Sequence, residues 1–152
     1  MFNVIADKGC PYVLTHSRGN SKTMDSFAKY TNVVKDVKHE LSNQIDLAIS
    51  KGIKNEQIII DPGLGFAKNV DQNLTLLRNL EEFISMNFQV LIGASRKRFI
   101  GSVINESDPN KRIFGTAAVA SRCVISGVDF LRVHDVKQIS QVVIMTKSII
   151  NL

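Results

Sequence analysis

The sequence predicts an α/β domain built on a parallel sheet, and three observations carry that prediction. Short β-branched or aromatic runs alternate four times with segments whose apolar residues recur every three or four positions. Each short run ends in polar or charged residues and then turns. One run, Ile58-Ile59-Ile60, is apolar without a break, as in a strand buried on both faces, and it stops at Asp61-Pro62-Gly63.

Met1 to Lys8 reads as the end of a helix closed by Gly9, so a further segment is expected before Met1. Pro11 to His16 is the first strand, and it runs into the polar loop Ser17-Arg18-Gly19-Asn20. Val34, Val37, Leu41, Ile45 and Ala48 form the stripe of an amphipathic helix that Gly52 ends. After the Ile58 strand, Leu74, Leu77, Leu80 and Ile84 mark a second helix finishing near Asn87. Phe88 to Ile92 is the third strand; it delivers Gly93 to Ile100, in which Ser95 is a candidate helix N-cap. Ile113, Ala117, Ala120 and Val124 line the next helix, stopped by Gly127. The last strand is Phe130 to Asp135, with Arg132 and His134 on one face and Leu131 and Val133 on the other. Two cationic side chains in a buried strand call for an anionic partner. A closing helix carries Ile139, Val142, Val143, Ile149 and Ile150. The residues alone leave open both a small open sheet and part of an eight-unit barrel.

The chain has one domain's length, 152 residues, and is 44% hydrophobic. It has no apolar run near the roughly 20 residues of a membrane span, nor the start of a secretory signal. A cytoplasmic or organelle-interior location is expected, with the mitochondrion left open for a eukaryote. Nineteen basic against fourteen acidic residues give +5, but no basic run or aromatic stacking motif accompanies them, so neither nucleic acid nor membrane is expected as a partner. Cys10 and Cys123 lack the spacing of a zinc site or a disulfide framework and read as small apolar residues.

The strand ends bring together His16 and Arg18, then Asp61, then Ser95, Arg96 and Lys97, then Arg132 and His134. A carboxylate offers two acceptor oxygens, which match a flat heterocycle with adjacent N–H and NH2 donors. Lysine, arginine and histidine suit a ring carbonyl and a phosphate or pyrophosphate group. One acid among several cations describes a site for an anionic, nitrogen-rich ligand rather than a paired-carboxylate hydrolase or a serine or cysteine triad. Plainer accounts compete: His16 as a satisfied core histidine, Arg18 on a surface loop, His39 solvated on its helix. The conjunction of Asp61, Lys97, Arg132 and His134 carries the case for a site.

Five motifs then carry a resemblance: Pro11 to Gly19 (PYVLTHSRG), Asp61 to Lys68 (DPGLGFAK), Gly93 to Gly101 (GASRKRFIG), Phe114 to Ala120 (FGTAAVA) and Arg132 to Val136 (RVHDV). Together, in this order, they resemble dihydropteroate synthase over the whole chain. The resemblance implies the C-terminal half of a (β/α)8 TIM barrel, strands five to eight with their helices, with residues 1–152 a partial pterin-binding domain lacking its N-terminal half. It implies a transferase of folate biosynthesis, acting on 6-hydroxymethyl-7,8-dihydropterin pyrophosphate and 4-aminobenzoate to give 7,8-dihydropteroate and pyrophosphate, with this piece inactive alone. In some eukaryotes that synthase is part of a multifunctional folate-synthesis protein.

By that resemblance Asp61 anchors the pterin, Lys97 reaches the ring's carbonyl side, and Arg132 and His134 hold the leaving pyrophosphate; Lys97, Arg132 and His134 are the catalytic candidates. Phe66 is similar to an aromatic residue near the aminobenzoate path. Arg98 stands where bacterial members often have serine near the aminobenzoate carboxylate, and Ala67 replaces a common glycine. A Mg2+ ion is implied as cofactor, with its ligand in the absent half, and a homodimer is left open. The rival expectations are a related pterin-binding methyltransferase domain and a non-catalytic half-barrel serving binding or assembly.

Overall fold

The computed structural model of the chain describes residues 1–150. Four parallel strands lie side by side in chain order: β1 (Tyr12–Thr15), β2 (Ile58–Asp61), β3 (Gln89–Ile92) and β4 (Phe130–Leu131). Leu14 sits opposite Ile60 and Ile60 opposite Val90, so alternate residues Leu14, Ile58, Ile60, Val90 and Ile92 face one way and join the core. Parallel neighbours need crossovers, and helices supply them. These are α2 (Val33–Ser50), then α3 (Val70–Arg78) with α4 (Glu81–Ile84), then α5 (Arg98–Ile104) with α6 (Ile113–Ser126). A leading helix α1 (Phe2–Lys8) and a closing helix α7 (Val136–Ile150) flank this body. β2 is buried along its full length, as the uninterrupted Ile58-Ile59-Ile60 run implies.

Local chemistry sets the boundaries. Gly9, in the left-handed region, turns its N–H back onto the carbonyls of Ile5 and Ala6 and closes α1. Asn32 caps α2 by accepting the Lys35 N–H, and Val33 rather than Val34 joins Val37, Leu41, Ile45 and Ala48 in its buried stripe. The expected single helix after β2 is two helices, α3 opened by an Asn69/Gln72 capping box and ended at Asn79. The buried face of this pair is Asn73, Leu76, Leu77, Leu80 and Phe83, with Leu74 and Ile84 only half-buried. The phase differs because Asn73, a polar residue, is fully engaged inside: its carboxamide takes the Gly65 N–H and donates to the carbonyls of Lys68 and Asn69. In α6 the buried residues are Thr116, Ala120, Cys123 and Val124, with Ala117 half-buried.

The last strand departs most from expectation. It has two residues, and Arg132 and His134 lie beyond it, exposed rather than buried. Asp129 takes the Val90 N–H with its carboxylate at 2.8 Å, and the Arg132 N–H still reaches the Ile92 carbonyl at 3.0 Å, but β4 has no strand on its far side among the described residues. In α7, Ile139 is buried whereas Ile149, expected on the apolar face, is exposed. Cys123 is buried and its thiol pushed up to about 12 by that burial; Cys10 is exposed, contrary to its reading as an apolar residue.

The revised phase of α3 is testable. Leu76→Ala should cost about 2–5 kcal/mol in denaturant unfolding, as for a closed core site, and Leu74→Ala on the order of 1 kcal/mol. Equal losses would return Leu74 to the core.

Candidate active site

Asp61 ends β2 and is 1% exposed. The chain turns at once: the Gly63 N–H donates to Asp61 Oδ1 at 2.8 Å, and Gly63 adopts φ +72°. A Cβ at Gly63 would lie 1.9 Å from the His16 carbonyl oxygen, so only glycine lets the turn close against the end of β1. The Phe66 N–H folds back to the Gly63 carbonyl, and the Gly65 N–H is taken by Asn73. Ala67 holds the left-handed conformation, φ 49°, for which glycine is the unstrained residue.

Burial pushes the Asp61 carboxyl up from the ordinary aspartate range, and the Gly63 N–H, Lys97, Arg132 and the Thr15 hydroxyl oppose that shift. Arg132 reaches Asp61 Oδ2 at 3.4 Å across the sheet. Between them runs β3, and the residue beneath the guanidinium is Gly93. A Cβ there would stand 2.8 Å from Arg132 Nη2, so the missing side chain is what lets the arginine lie flat toward the acid. The anionic partner expected for Arg132 is therefore Asp61 itself.

Lys97 comes from the loop after β3. Its ammonium donates to the Leu64 carbonyl and sits 4.0 Å from the centre of the Phe66 ring, a cation–π contact. Burial lowers it to about 8, with Asp61 opposing and Arg132 reinforcing the shift. His134 faces Ser95: its Nδ1 lies 2.9 Å from Ser95 Oγ, which also accepts the His134 N–H. Ser95 is thus not the N-cap of α5, a position held by Lys97. Arg96, at φ 60°, spans to the last loop through two bonds to Asp135 at 2.6 and 3.0 Å.

Asp61, Lys97, Phe66 and Arg132 are brought together, with His134 on the neighbouring loop. Arg98 is not part of that cluster. It pairs with Asp25 at 2.9 Å in the open and lines a cleft of about 290 Å³ with Phe66, Lys97 and Ser102. His16 is a satisfied interior histidine, held by a charged residue on each side: Glu40 Oε2 lies 3.0 Å from Nε2 and Lys68 Nζ 2.9 Å from Nδ1. Arg18 closes on Glu40 and lies over the Tyr30 ring, and His39 is exposed beside Asn43. Sequence reasoning missed Lys68, Glu40 and Asn73. The signal for Lys68 was present, a lysine closing a glycine-rich turn after a fully apolar strand. Among the described residues, no group of three or more His, Cys, Asp or Glu side chains is placed to hold a metal ion. No described helix is long and apolar enough to cross a membrane.

Two substitutions probe this geometry. Asp61→Asn keeps the acceptor for Gly63 and removes a desolvated charge. Because the folded-state pKa is raised, ionising Asp61 costs stability above that pKa. The variant should therefore melt at or above the parent temperature at neutral pH, and the difference should vanish as pH falls and Asp61 takes up its proton. Gly93→Ala should leave the melting temperature nearly unchanged, since the displaced atoms are the far end of a flexible side chain, yet break the Arg132–Asp61 contact in a crystal structure.

Residues 1–134 match the family model described as pterin binding enzyme. A dihydropteroate synthase of Synechocystis is 43% identical over 139 residues, covering 91% of this chain and 48% of that protein. Two crystal structures of the dihydropteroate synthase of Thermus thermophilus superpose with TM-scores of 0.92. One, in complex with 4-aminobenzoate, is 36% identical and matches 97% of this chain and 57% of its own; the other, in complex with 6HMPPP, is 35% identical and matches 98% and 59%. The chain spans about half the length, or less, of the curated relatives it matches. A buried acid ringed by cations at the ends of parallel strands, in a sequence that fits this model over most of its length, places the chain in the pterin binding enzyme family.

Proposed function

We propose that this chain is part of a dihydropteroate synthase, and that its four strands are strands five to eight of a (β/α)8 barrel. The observation that carries the proposal is the Asp61 carboxylate, sunk at the end of β2 and faced by Arg132 and Lys97. Among the described residues no strand covers the outer edge of β1 or β4, and this, with the match to about half of each synthase, supports the barrel assignment. The remaining strands would close those edges and supply the rest of the pterin pocket, including the ligand for Mg2+. On this reading residues 1–152 are a partial domain and are inactive alone.

The substrates are 6-hydroxymethyl-7,8-dihydropterin pyrophosphate and 4-aminobenzoate. Asp61 accepts from the pterin ring N–H and 2-amino group, replacing the contact it makes with Arg132. Arg132 is then free to hold the pyrophosphate with His134, and its exposure leaves that end open to an anion. Lys97 donates to the ring's carbonyl side and has its hydrocarbon stem against the loop that carries Phe66. As the carbon–oxygen bond lengthens, positive charge grows on the pterin methylene and negative charge on the leaving pyrophosphate. Asp61 stabilises the first, Arg132 and His134 the second, each worth about 3–4 kcal/mol when preorganised in a dry site. The aniline nitrogen attacks the methylene as the carbon–oxygen bond to pyrophosphate breaks, and the weakly basic nitrogen then sheds one proton to water or the departing pyrophosphate without a strong base. Phe66 borders its path, and Arg98, in the adjoining cleft, can trade Asp25 for the aminobenzoate carboxylate. Methyl transfer releases no pyrophosphate and would not need Arg132 and His134 as an anion grip.

The complete native polypeptide, incubated with the dihydropterin pyrophosphate and radiolabelled 4-aminobenzoate, should give labelled dihydropteroate and one pyrophosphate per turnover. No product with both substrates present refutes the proposal. Arg132→Ala should weaken binding of the pyrophosphorylated pterin about tenfold or more, the scale of a charged hydrogen bond, and that of the bare pterin far less. Equal losses would remove the anion role of Arg132.

A further inference from the structure

Behind the Asp61 turn lies a charged group that the chemistry above does not use. Lys68 closes the turn and is 5% exposed. Its ammonium has three protons and three acceptors at hydrogen-bonding distance: the carbonyls of Gly63 and Phe66, each at 3.0 Å, and His16 Nδ1 at 2.9 Å. When Lys68 is protonated, that match sets the tautomer of its neighbour. With Nδ1 accepting, His16 is neutral and carries its proton on Nε2, which donates to Glu40 at 3.0 Å. Glu40 is in turn gathered by Arg18. Burial and the positive charge of Lys68 lower His16 to about 4, which agrees with the neutral ring.

An ammonium is unfavourable in the interior unless every proton is used, and burial lowers Lys68 to about 7. Asp61 and Glu40 oppose that shift, and Lys97 and Arg18 add to it. What is obtained in return is the shape of the turn. The two carbonyls that Lys68 holds belong to Gly63, which donates to Asp61, and to Phe66, which lies under Lys97. A methionine would fill the same space and leave both carbonyls without that donor.

We propose that Lys68 is a positioning residue, whose buried ammonium holds the Asp61–Phe66 turn in the shape that presents Asp61 and Phe66 to the pterin. It acts through the turn, not on the reacting atoms, and the ligand side of the proposal rests on the pterin assignment above.

The test uses Lys68→Met in the complete native polypeptide, read by amide hydrogen exchange without ligand and by titration with 6-hydroxymethyl-7,8-dihydropterin pyrophosphate. The Gly63, Gly65 and Phe66 amides are the reporters, because each is hydrogen-bonded within or behind the turn. The expected result is exchange about tenfold or more faster at those amides, strands β1 to β3 as protected as before, and pterin affinity about tenfold weaker. Unchanged exchange in the turn overturns the proposal whatever the ligand does. Loss of protection throughout the sheet, repeated in Lys68→Gln, makes Lys68 a core residue only and also overturns it. If the turn loosens as expected but the unsubstituted protein takes up no pterin, the pterin assignment falls while the hold on the turn stands. If the unsubstituted protein binds pterin and Lys68→Met binds it equally, the presentation of Asp61 falls alone.

Discussion

A carboxylate removed from water at the end of a buried strand must be compensated, and the surroundings of Asp61 are arranged around that constraint. The strand is apolar up to the acid, so the backbone there cannot give way to solvent. Compensation comes from three neighbouring strand ends and from the turn itself: the Thr15 hydroxyl from β1, the Gly63 N–H, Lys97 after β3 and Arg132 after β4. Glycine appears where the packing leaves no room, against the His16 carbonyl at Gly63 and beneath the guanidinium at Gly93. The carboxylate stays less favourable than in water even so, and a ligand that brings two N–H donors is what such a group is poised to accept.

The same turn has a second layer. Its inner side is tied to Lys68, and through His16 to Glu40 and Arg18, so a chain of alternating donors and acceptors runs from the site to α2. Every ammonium proton of Lys68 has an acceptor, and such fully satisfied buried networks hold one geometry because any alternative strands a polar group. Arg96 does similar work on the other flank, joining the loop of Ser95 and Lys97 to that of His134 through Asp135. The two devices fix three loops that otherwise have little regular structure.

Much of the fold was legible because its signals are local. The β-branched run of β2, the left-handed glycines that end α1 and α6, and the three-four spacing of α2 follow from neighbouring residues. What could not be read depended on distant partners. Asn73 looks like a surface residue until the Gly65 N–H is placed against it, so leucine spacing alone puts Leu74 rather than Asn73 on the buried face of α3. Strand periodicity through Arg132 and His134 suggested a buried strand, whereas β4 stops after Leu131 at an open edge. In the site, Asp61, Lys97 and Arg132 stood out by charge at strand ends and do converge. Arg98 sits beside Lys97 but turns outward to Asp25, and Lys68 follows the Asp61 turn and points inward, differences of side-chain direction that spacing does not encode.

The most direct test of this account is a carbon-detected pH titration of the Asp61 carboxyl in the complete native polypeptide, with and without bound dihydropterin. Free, the group should titrate above the ordinary aspartate value of 3.8, and with pterin bound its midpoint should fall, because the ring N–H and amino donors favour the ionised form. A midpoint that stays in place or rises on binding would contradict the assignment of Asp61 as the pterin anchor.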